Sequence, residues 1–154
     1  MRHPQLPSEG GCRCGAVRLR ITAAPIATMA CHCKGCQRMT SSAYSLSAMV
    51  PADGFEVVQG EPVRGGLKQG GIHHFLCPDC GTWLFTRWDG MDDLVNLRPT
   101  LMDDTTWYAP FMETYNSEKL VFAETGARMS FDTFPDESEF PHILQAYAAA
   151  IASA

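Results

Sequence analysis

Cys77-Pro78-Asp79-Cys80-Gly81 joins two short apolar runs, residues 72–76 and 82–88. Both runs have the length of a β-strand, and the segment between them is short enough to be a hairpin turn. A glycine directly after the second cysteine can adopt positive φ, which lets backbone N–H groups turn toward the sulfurs. The stretch therefore predicts a β-hairpin whose turn is itself a metal-binding knuckle.

A second knuckle, Cys12-Arg13-Cys14-Gly15, has the same trailing glycine and lies 63 residues earlier (77 minus 14). Together the two knuckles offer four thiolates, the number that a closed structural zinc site requires. Such a site would tie the first strand of the chain to the central hairpin. We therefore predict a structural zinc on Cys12, Cys14, Cys77 and Cys80.

A third group, in the stretch Cys31-His32-Cys33-Lys34-Gly35-Cys36-Gln37-Arg38, packs three thiols into six residues and lacks the trailing glycine. A catalytic zinc typically has three protein ligands and one open position. The division into four and three uses all seven cysteines of the chain. We therefore expect a catalytic zinc on Cys31, Cys33 and Cys36, and two zinc ions per chain.

Spacing alone leaves other assignments open. The third group could be inert buried cysteines, a redox pair of Cys33 and Cys36, or half of a larger closed site. One such closed site would pair Cys33 and Cys36 with the 77–80 knuckle in an ordinary zinc ribbon. A histidine could also complete the third group, although we expect His32, His73 and His74 to lie outside the metal's coordination sphere.

The rest of the chain indicates a mainly β protein. Val17, Leu19 and Ile21 alternate with polar residues in a strand over 16–22, and further strands are predicted at 26–30, 45–50, 55–58 and 94–97. Short strands without alternating helices favour an antiparallel all-β domain. Apolar residues at helical spacing from about residue 141 predict one short C-terminal helix. We therefore expect a flexible leader over 1–9, one zinc-binding domain over 10–135, and a helix within 136–154 packed on that domain.

Length and charge narrow the function classes. A chain of 154 residues is the size of one domain. The net charge of −5, with scattered Lys and Arg, disfavours a nucleic-acid partner, and no apolar run suggests a signal peptide or a membrane span. We expect a cytoplasmic protein whose cysteines are reduced, with a small molecule as its ligand and no membrane partner.

Three ordered motifs carry a family resemblance: Gly11-Cys12-x-Cys14-Gly15-x-Val17-Arg18, Cys31-His32-Cys33-x-x-Cys36-Gln37-Arg38, and Phe75-x-Cys77-x-x-Cys80-Gly81. Over roughly residues 10–135 the chain resembles the glutathione-dependent formaldehyde-activating enzyme family, which also includes the centromere protein V domain. The resemblance implies an antiparallel β-tent fold and the same two zinc sites. The chain also departs from the family pattern: Leu76 stands where an aromatic residue is often found, Leu101-Met102-Asp103-Asp104 replaces Leu-Asp-Asp, Glu113 stands where histidine is common, and Phe122 where tryptophan is common. We expect these positions to shape the pocket rather than to hold the metal.

The activity implied by the resemblance is that of a carbon-sulfur lyase, S-(hydroxymethyl)glutathione synthase, which joins glutathione to formaldehyde. A zinc on three thiolates is a weak Lewis acid for water but can take a substrate thiol as its fourth ligand. Cys31, Cys33 and Cys36 would then be the catalytic residues. Candidate substrate-binding or proton-donating residues, chosen for their place in the sequence, are Lys34, Gln37, Arg38, Ser41, Ser42 and Tyr44. The alternatives are a zinc-binding interaction module, or a thiol or metal sensor without formaldehyde activity.

Overall fold

The structure, a computed structural model, describes residues 1–68 and 70–153, and its fold is mainly β with two sheets and a short C-terminal helix. The predicted fold class is confirmed. The strands are β1 (Ser8–Gly11), β2 (Arg18–Ile21), β3 (Ala27–Cys31), β4 (Ser45–Pro51), β5 (Phe55–Gln59), β6 (Val63–Gly65), β7 (Ile72–Leu76), β8 (Trp83–Trp88), β9 (Leu94–Leu97), β10 (Met112–Thr114) and β11 (Met129–Ser130). The helices are α1 (Lys34–Thr40) and α2 (Phe140–Ala152).

The small sheet has the strand order β1-β2-β5, with both pairings antiparallel. The predicted alternation in β2 is present, because Leu19 and Ile21 are fully buried while Arg18 and Arg20 lie on the other face. β1 begins at Ser8, which pairs with Ile21, so the first sheet reaches into the segment expected to be a loose leader.

The large sheet has the order β11-β10-β3-β4-β9-β8-β7-β6. From β3 to β6 every pairing is antiparallel, and Cys77–Gly81 forms the turn of the β7–β8 hairpin as predicted. The other edge departs from the antiparallel expectation, since β10 runs parallel to both β3 and β11. Parallel neighbours need a connection of a dozen or more residues, and residues 32–111 and 115–128 supply these connections.

The main core lies between the two sheets. Leu19 and Ile21 from the small sheet pack in one cluster with Leu84, Val95 and Leu97 from the large sheet. Cys12 and Cys77 are buried members of the same cluster. The first two knuckles therefore stand at the edge of the core, where anything that displaces them also disturbs apolar packing.

α2 covers another part of the large sheet. Ile143 packs with Met29, Met49 and Met112, and Tyr147 packs with Phe111. A capping box at Asp136 precedes the helix, which begins at Phe140, close to the predicted start. Of the segment expected to hold the helix, Ala154 lies outside the described residues. Within the described residues, neither helix has the length and apolar character that crossing a membrane requires.

Candidate metal centres and active site

The structure brings together Cys12, Cys14, Cys77 and Cys80, which we call the four-cysteine cluster. Its sulfurs lie within 4.8 Å of one another, with Sγ–Sγ distances of 3.5 Å from Cys12 to Cys14 and 3.7 Å from Cys14 to Cys77. Zinc–sulfur bonds of about 2.3 Å in a tetrahedron place sulfurs about 3.8 Å apart, whereas a disulfide bond is about 2.05 Å long. The spacing therefore suits a tetrahedral metal ion and excludes disulfides.

Local donors favour the thiolate form of two members of this cluster, Cys12 and Cys80. Gly15 and Gly81 have φ values of +81° and +68°, the conformation predicted for the glycine after each knuckle. The Val17 N–H donates to Cys12 Sγ at 3.2 Å and lowers the pKa of this thiol, although burial acts in the opposite direction. A hydrogen bond with the Thr82 hydroxyl is the main cause that lowers the pKa of Cys80 to about 5. Thiolate is the form that binds a metal ion.

Cys31, Cys33 and Cys36 form the three-cysteine cluster, with their sulfurs also within 4.8 Å of one another. Cys31 ends β3, Cys33 is the N-cap of α1, and Cys36 lies in the first turn of that helix. The Cys36 N–H donates to Cys33 Sγ at 3.3 Å, so the helix start fixes two of the three sulfurs. All three residues are only partly buried. The cluster therefore lies close to solvent and has one ligand fewer than a closed tetrahedral site.

The three sulfurs of the three-cysteine cluster share protons through hydrogen bonds, an arrangement that a cation could replace. Hydrogen bonds from Cys31, and then from Cys36, lower the pKa of Cys33 to about 2. The same sharing raises the pKa of Cys36 and of Cys31, since one thiolate is stabilised by two protonated neighbours. A soft divalent metal ion would replace the shared protons and allow all three sulfurs to be thiolates. Both clusters can therefore hold metal ions.

None of the three histidines considered as ligands belongs to a metal-capable group among the described residues. His32 is fully buried and bonds Glu113 through Nε2 at 3.1 Å. His73 contacts Arg64 and bonds Asp89, and His74 bonds Thr86 through Nδ1 at 2.9 Å. Their side chains instead connect elements of the protein scaffold.

Glu113 is a functional candidate in the structure, whereas the sequence predicted only that it shapes the pocket. Its carboxylate is 8% exposed and accepts hydrogen bonds from Lys119, Thr125 and Ser130 as well as lying beside His32. Burial alone would raise the pKa of Glu113, but these bonds lower it to about 2. The network joins His32, between two cysteines of the cluster, to the 116–130 segment, and so fixes the Cys31–Cys33 turn.

The predicted substrate-binding residues lie mainly on one surface. Lys34, Gln37 and Arg38 line a groove of about 390 Å³ with Phe122, which we call the outer groove. Tyr44 lines an adjoining hollow of about 400 Å³ that also includes Phe122, and its ring packs edge-on against His32. Ser41 and Ser42 line the outer groove, and Leu120 and Ala43 complete it. The departure at Phe122 is thus on the groove wall, as expected.

The structure also contains a group of buried polar residues that the sequence did not predict. Thr86 of β8, Asn96 of β9 and Arg98, which directly follows β9, are buried polar residues, and Trp83 and His74 pack beside them. The only sequence signal is that Asn96 and Arg98 alternate with the apolar Val95 and Leu97. Alternation normally places polar residues in solvent, so their burial could not be recognised in advance.

A mainly β protein with one four-thiol and one three-thiol metal-capable cluster is a narrow class. The family model for the glutathione-dependent formaldehyde-activating enzyme matches residues 7–118. The chain therefore belongs to this family, and the resemblance seen in the three motifs is confirmed.

The comparison with solved structures supports the fold. The chain is similar to a Rhodobacter sphaeroides protein of known crystal structure, at 18% sequence identity with a TM-score of 0.52. The match covers 62% of this chain and 87% of that one. No curated protein matches the sequence.

Proposed function

We propose that the chain is a zinc-dependent carbon-sulfur lyase that adds a thiol, glutathione, to a small aldehyde, in the manner of S-(hydroxymethyl)glutathione synthase. The observation that carries the proposal is the three-cysteine cluster, whose sulfurs converge within 4.8 Å yet provide one ligand too few for a closed site. Family membership supports a reaction of this kind. The four-cysteine cluster would hold the second zinc as a structural ion.

Cys31, Cys33 and Cys36 would hold the catalytic zinc. When bound there, the ion supplies an open coordination position that favours the thiolate form of a substrate thiol. In the reaction, the S–H bond of the thiol breaks and a bond forms between sulfur and the aldehyde carbon. The carbonyl π electrons move to oxygen, which takes a proton, so the product is a hemithioacetal and no oxidant is required.

The protein's own groups would orient the reactants. The Gln37 side-chain amide donates to the backbone oxygens of His32 and Glu118, so it ties the cluster turn to the next loop. Lys34 is engaged with Glu118 through both its backbone N–H and its ammonium group. Arg38 is exposed and, among the described residues, has no carboxylate partner, which leaves its guanidinium free for a glutathione carboxylate. Ser41, Ser42 and Tyr44 remain the proposed proton donors.

Cobalt substitution tests the thiol site directly. Titrating glutathione into the cobalt protein should add a sulfur-to-metal charge-transfer band, because a new thiolate joins the coordination sphere. Water or a carboxylate in the same position would add no such band. Cys33→Ser should abolish the change, whereas Glu61→Gln, at an exposed residue outside the outer groove, should retain the band.

The catalytic step is tested by exchange spectroscopy on mixtures of glutathione and formaldehyde, at equal concentrations of wild type and Cys33→Ser. Wild type should accelerate exchange between free and adduct species, and the variant should not. A spectral change without exchange for any aldehyde would leave a thiol-binding sensor. The absence of both would leave an interaction module.

A further inference from the structure

Arg98 is a buried cation without a carboxylate partner among the described residues. The residue is 6% exposed, and its guanidinium lies 4.0 Å from the centre of the Trp83 ring. Its Nη2 reaches only the Asn96 backbone oxygen, at 3.5 Å, and its Nε has no hydrogen-bond partner. No carboxylate forms an ion pair with Arg98 among the described residues. Burying an unpaired charge is costly, so this arrangement indicates that another molecule supplies the missing partner.

Asn96 provides the complementary open group. It is 7% exposed, and its Oδ1 also lacks a hydrogen-bond partner. The neighbouring groups are already satisfied, because the Thr86 hydroxyl takes hydrogen bonds with both Trp83 Nε1 and His74 Nδ1. We call Arg98, Asn96 and their neighbours Thr86, Trp83 and His74 the sheet wall. Among the described residues, this wall has one unpaired cationic donor, on Arg98, and one unpaired acceptor, on Asn96.

Strand register places this wall on the face of the large sheet that carries Cys31. Asn96 pairs with Met49, and Met49 pairs with Ala27. Directly paired residues share a face, and so do residues two apart along a strand. Arg98 and Cys31 consequently lie on this same face. Electrostatics agree, because burial lowers the pKa of Arg98 to about 10 while the nearby Cys36 and Cys31 side chains act to raise it.

Helix geometry separates this wall from the outer groove. At about 100° per residue, Lys34 and Arg38 point about 160° away from Cys36 around α1, whereas Met39 is only about 60° away. Met39 and His74 meet at Gly66, where an added Cβ would lie 3.0 Å from Met39 Cε and 3.1 Å from His74 Cδ2. The Cys36 side of α1 therefore faces the sheet wall, and the basic residues chosen from the sequence line the opposite side.

We propose that Arg98 and Asn96 form a carboxylate-binding subsite beside the three-cysteine cluster, and that the aldehyde used by this chain bears a carboxylate. This inference rests on the proposed function. Thiol addition to such an aldehyde breaks the S–H bond, forms the S–C bond and places the proton on the former carbonyl oxygen. With glyoxylate as this aldehyde, the product has a carboxylate and a hydroxyl on adjacent carbons, which match the open donor on Arg98 and the open acceptor on Asn96. A carboxylate of glutathione is the other source of the same chemistry.

Binding is tested without turnover by following the Trp83 indole N–H signal in nitrogen-15 spectra of the zinc-loaded protein, assigned from its absence in Trp83→Phe. Acetate and glyoxylate should shift the signal, and neutral acetamide should not. Arg98→Met should lose the shift, Arg98→Lys should retain a weaker one, and Arg87→Met on the other face of β8 should respond like wild type. The subsite would be overturned if carboxylates did not shift the Trp83 signal of the wild type, or if they shifted the signal of Arg98→Met equally.

Kinetics then identify the source of the carboxylate. With glyoxylate as the aldehyde, Arg98→Met should raise KM at least about tenfold, the value of one charge-assisted hydrogen bond, while formaldehyde shows little change. The KM of Arg98→Met could instead rise with every aldehyde when glutathione is the thiol, and stay at the wild-type value when 2-mercaptoethanol is the thiol. In that case the bound carboxylate belongs to glutathione, and the subsite stands. An equal loss for the neutral pair of 2-mercaptoethanol and formaldehyde would overturn it. If carboxylates shift the Trp83 N–H signal of the wild type but the protein turns over no combination of thiol and aldehyde, the subsite stands and the proposed lyase activity is wrong.

Discussion

The two cysteine clusters contain the same ligand atoms at similar spacing but are built differently by the chain. The four-cysteine cluster joins knuckles 63 residues apart, and two of its members are buried in the main core. The three-cysteine cluster comes from one strand end and one helix start, and all its members are partly exposed. Sequence separation and membership of the main core, rather than ligand type, therefore distinguish the two clusters, and we expect the first to hold the fold and the second to react.

The largest expected difference between the clusters is in folding. A structural zinc site contributes on the order of 10–16 kcal/mol, comparable with the roughly 5–15 kcal/mol stability of a whole domain. Cys77→Ser should therefore give unfolded or insoluble protein, while Cys36→Ser should fold and be inactive. Circular dichroism, thermal melting and gel filtration measure this contrast. The opposite order of damage would show that the roles of the two clusters are reversed.

Metal lability should follow the same order. We expect two zinc equivalents per chain, with the ion on three ligands removed first by a chelator because one loop holds it. Elemental analysis during stepwise chelation, with circular dichroism on each sample, should find a folded intermediate that retains one equivalent. Saturation at a single equivalent, or loss of both ions together with the fold, would contradict the division into four and three.

A smaller effect comes from the group that supports the reactive cluster. Burial acts to raise the pKa of Glu113, but hydrogen bonds to its carboxylate outweigh burial and lower the pKa to about 2, from the ordinary value of about 4.5. A lowered carboxyl pKa gives stability that is present above about pH 4.5 and lost as the pH falls through about 2. The difference corresponds to on the order of 3 kcal/mol near neutral pH. Glu113→Gln should lose this increment at pH 7, and its stability should change less than that of wild type across the acid window.

Denaturant titrations at several pH values measure the Glu113 effect. Exposed Glu61 provides the control, because Glu61→Gln should follow the wild-type profile. A Glu113→Gln protein with wild-type stability at pH 7 would show that its network does not stabilise the turn.

The smallest effect is expected in the outer groove. Arg38 is exposed, and an exposed charge pair contributes about 0.2–1 kcal/mol. Arg38→Met should therefore raise KM for glutathione by no more than about fivefold and leave kcat nearly unchanged. Arg87→Met serves as the matched control. A loss of tenfold or more would move the main anion contact to the outer groove.

The parts of the fold that sequence reasoning found have local signals. β7 and β8 are predicted nearly to the residue, because apolar runs that meet at a cysteine knuckle mark strand and turn together. The cysteine groups predicted from the sequence agree with the structure. The signal was the glycine after Cys14 and after Cys80, which adopts the positive φ that a metal knuckle requires.

The parts it missed depend on distant partners. Met112–Thr114 is a strand only because it lies beside β3, and three residues carry no usable periodicity. α1 has no buried residues, and its start depends on the Cys33 cap, so apolar spacing could not predict it. The Trp83 ring lies 4.0 Å from the Arg98 guanidinium, a contact with another strand that the residues around Arg98 do not encode.

The 63-residue separation within the four-cysteine cluster also determines when the site can form in a growing chain. At a synthesis rate of about 5–20 residues per second, Cys14 would wait roughly 3–13 s before Cys77 is made. During this interval the early thiols are open to oxidants and to the wrong metal, whereas Cys31, Cys33 and Cys36 are synthesised almost together. The reactive cluster can therefore assemble on the ribosome before the cluster that stabilises the protein around it.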